Sequence, residues 1–212
     1  MIRKLTMLSV ALAVLLVSAP FASAAPTTWT IDPNHSSVEF SIRHLFSKVP
    51  GKFTKFSGTI VYDAANAPSS SVKAEIDAAS ISTANEKRDG HLKSEDFFDV
   101  AKYPTIVFES TSTTAAGENK LKVAGNLTMH GVTKPVTLDV TFLGAGPGMG
   151  GRQVSGFEAV GKVNRKDFNI VWNRNLDQGG TLLGDDVDIR LNIEAGTPPP
   201  VEKKAEAGAA AK

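Results

Sequence analysis

The sequence contains no cysteine, and this absence excludes several kinds of site. Without a thiol, the 212-residue chain forms no disulfide, iron–sulfur cluster or thiolate zinc site, and it has no cysteine nucleophile. A surplus of charge of one sign is also missing, because 23 Lys and Arg stand against 22 Asp and Glu, for a net charge of +1. This balance argues against a nucleic-acid partner, and none is predicted.

The apolar run near the N-terminus is too short for a membrane span. It extends over residues 5–17, whereas crossing a bilayer takes roughly 20 residues. Arg3 and Lys4 precede it, and Ala22-Ser23-Ala24 follows with the small residues of a cleavage site. These features favour a secretory signal peptide at residues 1–24 over a membrane anchor, and they predict an exported mature protein.

The rest of the chain is predicted to form one domain and a tail. Residues 25–196 show no internal repeat and no change of composition that would mark a second domain. Residues 197–212 contain three consecutive prolines and then little that a folded core could bury. We expect this last segment to be a disordered tail.

Apolar and polar residues alternate along most of the domain. Val38, Phe40 and Ile42, for example, are separated by polar side chains, so one face of the strand is apolar and the other is polar. Short Gly, Asn and Pro clusters separate most of these segments and favour antiparallel neighbours. The pattern predicts eight strands, at residues 37–43, 53–62, 72–77, 104–112, 120–129, 136–142, 153–163 and 186–193.

One interval breaks the alternation and is predicted to be helical. Thr83 and Glu86 have the spacing of a capping box, so we expect a short helix over residues 84–94. Phe97 and Phe98 follow and are expected to anchor it to the domain. The helix is expected to cross one end of the sheet.

The strand pattern is compatible with more than one all-β fold. Eight antiparallel strands with one apolar face form either a sandwich or a closed barrel, and the pattern does not choose between them. An outer-membrane barrel is a third alternative. It is disfavoured because the chain has only two Trp and two Tyr for the aromatic girdles of such barrels.

No motif in the sequence carries recognisable catalytic or metal chemistry. Asp32, His35 and Ser36 resemble a compressed triad, but His35 and Ser36 would point to opposite faces of a strand, so a turn with local hydrogen bonds is expected instead. The Gly-rich run 144–151 is expected to be a hairpin loop, since no helix follows it. The acidic cluster 185–188 lacks EF-hand spacing. We predict no catalytic residue, metal ligand or cofactor.

Four stretches of the chain resemble the signature segments of the YceI-like family. The resemblance runs from about residue 28 to residue 195, in the order of the family. It implies a lipocalin-like, extended antiparallel barrel of eight strands that holds a polyisoprenoid chain, such as that of an isoprenoid quinone, in a periplasmic bacterial protein. Transport and stress response are among the family's roles. The matching stretches are residues 32–40 (DPNHSSVEF), 85–104 (NEKRDGHLKS, FFD and YP), 125–136 (GNLTMHGVTKPV) and 163–170 with its Asn-Arg-x-Asp-Phe core.

Combining this resemblance with the alternation gives a candidate ligand site. Three polar residues near the helix, Arg88, Asp89 and His91, either contact a ligand head group or tie the helix to the strands, and both interpretations are open. The apolar residues that point inward are expected to line the tunnel: Val38, Phe40, Ile42, Ile60, Ile76, Phe108, Leu127, Met129, Leu138, Val140, Phe142, Phe157, Ile189 and Leu191.

The predicted function is therefore the binding of a polyisoprenoid or other long-chain lipid, without catalysis. Two alternatives are kept. One is an enzyme that acts on a bound lipid with His91 or His35 as the base, and the other is a stress-protective structural protein whose barrel is filled by its own side chains. The lipid-binding interpretation allows transient membrane contact and a homodimer.

Overall fold

The structure is a computed structural model that describes residues 26–177 and 179–198. The predicted signal peptide and the predicted tail from residue 199 onward lie outside the described residues. Among the residues that are described, no helix is long and apolar enough to cross a membrane. The elements are β1 (Thr27–Ile31), β2 (Ser37–His44), β3 (Ser47–Phe53), β4 (Phe56–Tyr62), β5 (Ser71–Asp77), β6 (Ile81–Ser82), α1 (Glu86–Lys93), β7 (Thr105–Gly117), β8 (Lys120–Met129), β9 (Val132–Pro147), β10 (Gln153–Asn164) and β11 (Leu183–Gly196), with short 3-10 turns at Ala67–Ser69, Ala78–Ser80, Met149–Gly151 and Arg165–Phe168.

The strands form a closed antiparallel barrel. β1 and β2 both pair with β11, so together they act as one long strand with a break. β4 pairs with β1 and β3 pairs with β2, so β3 and β4 form a second strand of this kind. β5 and β6 do the same against β4 and β3. The 11 segments thus make an eight-stranded wall, which the β1–β11 pairing closes. The predicted eight antiparallel strands are confirmed, and the fold is a barrel rather than a sandwich.

The first break in the wall is the turn predicted around Asp32. The Asp32 carboxylate accepts a hydrogen bond from the backbone N–H of Asn34 at 2.9 Å and lies 3.0 Å from Nδ1 of His35. Ser36 donates its hydroxyl to the backbone oxygen of Glu194 at 3.1 Å. Ser36 is therefore bonded away from His35, so these residues build a turn and not a triad, as expected.

Helix α1 is close to the predicted segment, but its cap is different. Asn85 is the N-cap, because its side-chain oxygen accepts from the backbone N–H of Arg88 at 3.0 Å. The capping box predicted for Thr83 is wrong, since Ala84 turns into the left-handed region at φ 57° and separates Thr83 from the helix. Phe97 anchors the segment as expected and is only 6% exposed.

A packed core lies at the end of the barrel that carries α1. At this end, the imidazole Nδ1 of His130 lies 3.0 Å from the backbone oxygen of Phe168, which is the most deeply buried large side chain among the described residues. This bond joins the β8–β9 turn to the turn after β10. The core cluster consists of Phe53, Ala78, Ile81, Phe97, Ile106, Leu127, Met129, Val163, Phe168 and Ile170.

The Gly-rich run differs from its prediction as a loop. β9 continues through Gly144 and Gly146 to Pro147, and only residues 148–152 form the turn. Pairing with β10 supplies the hydrogen bonds here, so the strand continues although its side chains are small. In the acidic cluster, Asp186 and Asp188 lie on the solvated outer face of the barrel and approach lysines.

Candidate functional site: the barrel cavity

The barrel encloses a cavity of about 420 Å³, within the range of roughly 300–1,000 Å³ that is usual for ligand sites. The surface that lines it is almost entirely apolar, although a few polar side chains also border it. Inward residues such as Val38, Phe40 and Ile189 pack against the core on one side but are only half-buried, because they also face the open space of the cavity. The void counts against the alternative of a filled barrel.

The structure brings nearly all of the predicted site residues together around this cavity. Two of them lie off its lining. The ring of Phe142 packs on those of Tyr62 and Phe157, at 4.5 Å and 5.4 Å between centroids, and Asp89 points to the loop before α1. The predicted residues on the lining are Val38, Phe40, Ile42, Ile60, Ile76, Phe108, Leu127, Met129, Leu138, Val140, Phe157, Ile189, Leu191, Arg88 and His91.

Sequence reasoning missed further lining residues of two kinds. Some continue the same alternation along the predicted strands, and a stricter reading of the period would have found them: Val72, Ala74, Ile106, Leu121, Val123, Val136, Ala159, Val187 and Ile193. Others, such as Leu92, Phe97 and Trp172, come from α1 and from irregular segments. Their positions depend on how those segments fold back over the barrel.

The cavity reaches the surface at the end of the barrel that carries α1. Exposed Arg88 and half-exposed His44, His91, Trp172 and Leu182 all belong to its lining there. The ring edge of His91 meets Trp172 at 4.9 Å between centroids. Aromatic rings and the Arg88 guanidinium therefore lie at the border of this opening.

The imidazole of His91 is held in place from two sides. Its ring also packs on Phe97 at 5.0 Å between centroids, and its Nε2 lies 2.8 Å from a carboxylate oxygen of Asp96. Phe97 and Trp172 are themselves 5.2 Å apart. His91 is thus a fixed polar group at the border of an apolar cavity.

Arg88 and Asp89 both form hydrogen bonds with Thr83, which lies two residues before the N-cap of α1. Arg88 donates from Nε to the hydroxyl of Thr83 at 2.7 Å and from a terminal nitrogen to its backbone oxygen at 3.0 Å. Asp89 accepts from the backbone N–H of Thr83 at 2.8 Å. Both side chains therefore tie α1 to the end of β6, and Arg88 also contacts the cavity.

Arg165 has a structural role at the opening that the sequence did not reveal. It is 3% exposed and donates to the backbone oxygens of Ile170 at 2.7 Å, Trp172 at 2.8 Å and Gly184 at 2.9 Å. Burial lowers the pKa of Arg165, and the nearby Asp185 carboxylate opposes that shift. The guanidinium thus fixes the segment that carries Trp172.

The opposite end of the cavity is packed with aromatic rings and buried hydroxyls. Tyr62, Phe142 and Phe157 form one cluster, and burial raises the pKa of the Tyr62 phenol. Beside it, Thr113 donates its hydroxyl to the backbone oxygen of Ser70 at 2.9 Å. Both of these residues are buried, so their polar groups are satisfied within the protein.

Among the described residues, one group of side chains could hold a metal ion, and it lies outside the cavity. Asp32, His35 and Glu194 place one ligand atom each within 4.8 Å of one another on the outer wall. The hydrogen bond between the side chains of Asp32 and His35 raises the pKa of His35 and lowers the pKa of Asp32. None of the three lines the cavity, so of the two histidines considered as bases, only His91 borders the cavity.

Comparison with known proteins agrees with this architecture. The model of the YceI-like domain matches residues 29–195. The chain belongs to the YceI-like family. Relatives of this family include a UPF0312 protein of Vibrio cholerae, 41% identical over 170 residues that cover 79% of this chain and 89% of that protein. Protein YceI of Escherichia coli O157:H7 is 38% identical over 192 residues, which cover 90% of this chain and 97% of that protein.

Several solved structures share the barrel. BcnA of Burkholderia cenocepacia superposes with a TM-score of 0.68 at 27% identity, covering 77% of this chain and 98% of BcnA. The YceI protein of Campylobacter jejuni gives a TM-score of 0.64 at 34% identity, covering 74% and 90% of the two chains. A polyisoprenoid binding domain from Saccharophagus degradans gives 0.58 at 19% identity, covering 80% and 98%, a likeness of fold alone.

Proposed function

We propose that this protein binds one polyisoprenoid chain, such as that of an isoprenoid quinone, inside the barrel and carries or stores it in the periplasm. The observation that carries the proposal is the apolar cavity of about 420 Å³, which is lined by residues from all sides of the wall. The polyisoprenoid-binding description of the Saccharophagus degradans domain supports the choice of ligand class. Recognition is then by the length and shape of the chain.

The energetics favour reversible carriage. A forty-carbon chain that gains about 0.3 kcal/mol per atom would bind from water with about 12 kcal/mol, in the nanomolar range. In a bilayer the same chain is already buried, so transfer from membrane to protein is close to neutral in free energy. A carrier that exchanges its ligand needs this balance, and exchange requires transient contact with a membrane.

The polar groups at the opening select the head group. His91 and Arg88 lie on the cavity lining at the opening, where one end of a bound chain would reach the surface. We expect His91→Ala to weaken binding of chains with a polar head and to leave simple prenyl hydrocarbons unaffected. Equal affinities of the variant and the wild type for both ligand kinds would contradict this role.

The decisive experiment for the ligand is recovery of the native lipid. The full chain is expressed in a bacterial host, purified without detergent and extracted with organic solvent, and the extract is analysed by mass spectrometry. We expect a polyisoprenoid lipid at a constant molar ratio to protein. No lipid in the native material, together with no uptake of supplied polyisoprenoids, would reject the proposal. Chemical conversion of the bound lipid would favour an enzyme with His91 as the base.

Export and assembly are tested on the same material. We expect the intact mass of periplasmic protein to correspond to cleavage after Ala24, as the signal-peptide features predict. A full-length mass in the cytoplasmic fraction would contradict export. Light scattering of the lipid-free and lipid-loaded protein decides whether the proposed homodimer forms.

A further inference from the structure

Two apolar side chains project into solvent at the end of the barrel where the cavity opens. Phe46 is fully exposed at the tip of the β2–β3 turn, and Val171 is 63% exposed in the segment after β10. The backbone N–H of Leu45 donates to the backbone oxygen of Leu182 at 2.9 Å, which fixes the turn beside a residue of the cavity lining. We call Phe46, Val171, Trp172 and Leu182 the rim.

The rim is held rigidly against the opening. Val171 lies between Ile170 and Trp172, whose backbone oxygens both accept from the buried guanidinium of Arg165. Leu45 adopts φ 52°, which turns the chain tightly and places Phe46 at its apex. The fold therefore keeps these apolar side chains in water, and a partner that covered them would gain the free energy of burying their surface.

Charge around the rim favours an anionic partner. Three acidic groups nearby already have partners within the protein: Asp185 and Asp188 each form an ion pair with a lysine, and Asp96 lies 2.8 Å from Nε2 of His91. Arg43 and Arg174, beside the two exposed apolar groups, form no salt bridge within the described residues and are both exposed. Guanidinium groups of this kind donate paired hydrogen bonds to phosphate oxygens.

We propose that the rim docks on a phospholipid bilayer. Phe46 and Val171 enter the interface, and Arg43 and Arg174 bind lipid phosphates, so the cavity opening faces the acyl chains. The inference rests on the proposed function for its purpose, since a chain can then pass between bilayer and barrel without crossing water. Aromatic and aliphatic residues flanked by arginine suit such an interface.

Docking is tested with lipid-free full-length protein and vesicles of phosphatidylethanolamine and phosphatidylglycerol. Flotation measures binding, and Trp172 reports it by a blue shift, because Trp29 is only 5% exposed and far from the rim. We expect Phe46→Ser to reduce partitioning about tenfold or more, from the loss of one buried aromatic side chain. Circular dichroism confirms that this exposed-site variant folds.

Met149 provides the matched control, since it is 92% exposed in the β9–β10 turn at the opposite end of the barrel. Met149→Ser should float with the vesicles like the wild type. Arg174→Gln should weaken binding less than Phe46→Ser, with the difference from wild type vanishing at high salt. No flotation of the wild type, or equal losses for the Met149 and Phe46 variants, would overturn the proposal.

The design separates docking from ligand binding. Phe46→Ser should take up a polyisoprenoid delivered from ethanol as the wild type does and should lose uptake from vesicles. Vesicle binding without uptake from either source would leave docking intact and would refute the proposed function instead. If Phe46→Ser abolishes dimerisation and the wild type ignores vesicles, the rim contacts a second copy of this chain and the bilayer proposal is wrong.

Discussion

Replacing Ala74 by tryptophan should obstruct the cavity at the middle of β5. Ala74 lies on the cavity lining, opposite Gly58 and Phe108 in the neighbouring strands, and its side chain is half-exposed to the void. An indole at this position extends into space that a bound chain would occupy. The lipid-free variant should fold normally, because the ring fills an existing void without displacing packed groups.

The expected loss of affinity follows from the atoms that the indole displaces. Trp adds about nine heavy atoms to the Ala side chain, and each displaced ligand atom is worth about 0.3 kcal/mol, so a chain that fills the cavity should lose roughly 3 kcal/mol, or about a hundredfold in Kd. A short prenyl chain that fits in the remaining space should bind nearly as before. The variant should therefore lose the dependence of affinity on chain length.

The assay is a fluorescence titration of lipid-free protein with polyisoprenoids of increasing length. Thr59→Trp is the control, because Thr59 lies on β4, is exposed and faces away from the cavity. Its affinities should equal those of the wild type. If folded Ala74→Trp binds the long chain with unchanged Kd, the chain does not occupy the cavity, and the reasoning from the void fails.

Three further predictions concern stability and protonation. Arg165→Met should lower the free energy of unfolding in urea by about 3 kcal/mol or more, since buried carbonyls lose their donor; a loss below about 1 kcal/mol would contradict it. Gly90→Ala should raise the free energy of unfolding by about 0.5–1 kcal/mol, because a Cβ added to the helix there meets open space. Gly131→Ala should lower it in the same urea titration, because Gly131 has φ 74° and its added Cβ would lie 2.5 Å from the Tyr103 ring. NMR should show the pKa of His35 above its ordinary 6.5, falling in Asp32→Asn. The pair's stabilisation is full between the ordinary values of 3.8 and 6.5, and it is lost as pH rises through the raised pKa of His35 or falls through the lowered pKa of Asp32.

Alternation predicted the wall well because inward and outward positions of a strand differ in environment along its whole length. It failed where backbone pairing alone maintains the strand. β9 runs through Gly144 and Gly146 because β10 continues beside it, and glycine carries no apolar signal. β1 has only Trp29 and Ile31 as alternating apolar residues, which is too short a pattern to register.

The lining residues that lie on strands could be predicted from the same alternation, whereas the residues at the cavity opening could not. Side chains such as Leu138 follow from the period, but Trp172 and Phe97 lie in irregular segments that cross the barrel end. Arg165 fixes one of those segments through Gly184, 19 residues away along the chain. A contact between distant positions leaves no periodic pattern in a single sequence.

Because β1 pairs with β11 and closes the barrel, the stability of the barrel wall does not depend on what fills the cavity. In an ordinary domain the interior side chains hold the layers together, so removing packed material weakens the whole. Here main-chain hydrogen bonds run around a complete hoop, and none of them depends on a guest molecule. In the ligand-free protein the apolar surface faces the inside of the barrel, where other protein molecules cannot contact it. Closure of the wall also pairs strand edges that an open sheet would leave free, so we expect the ligand-free protein to resist aggregation.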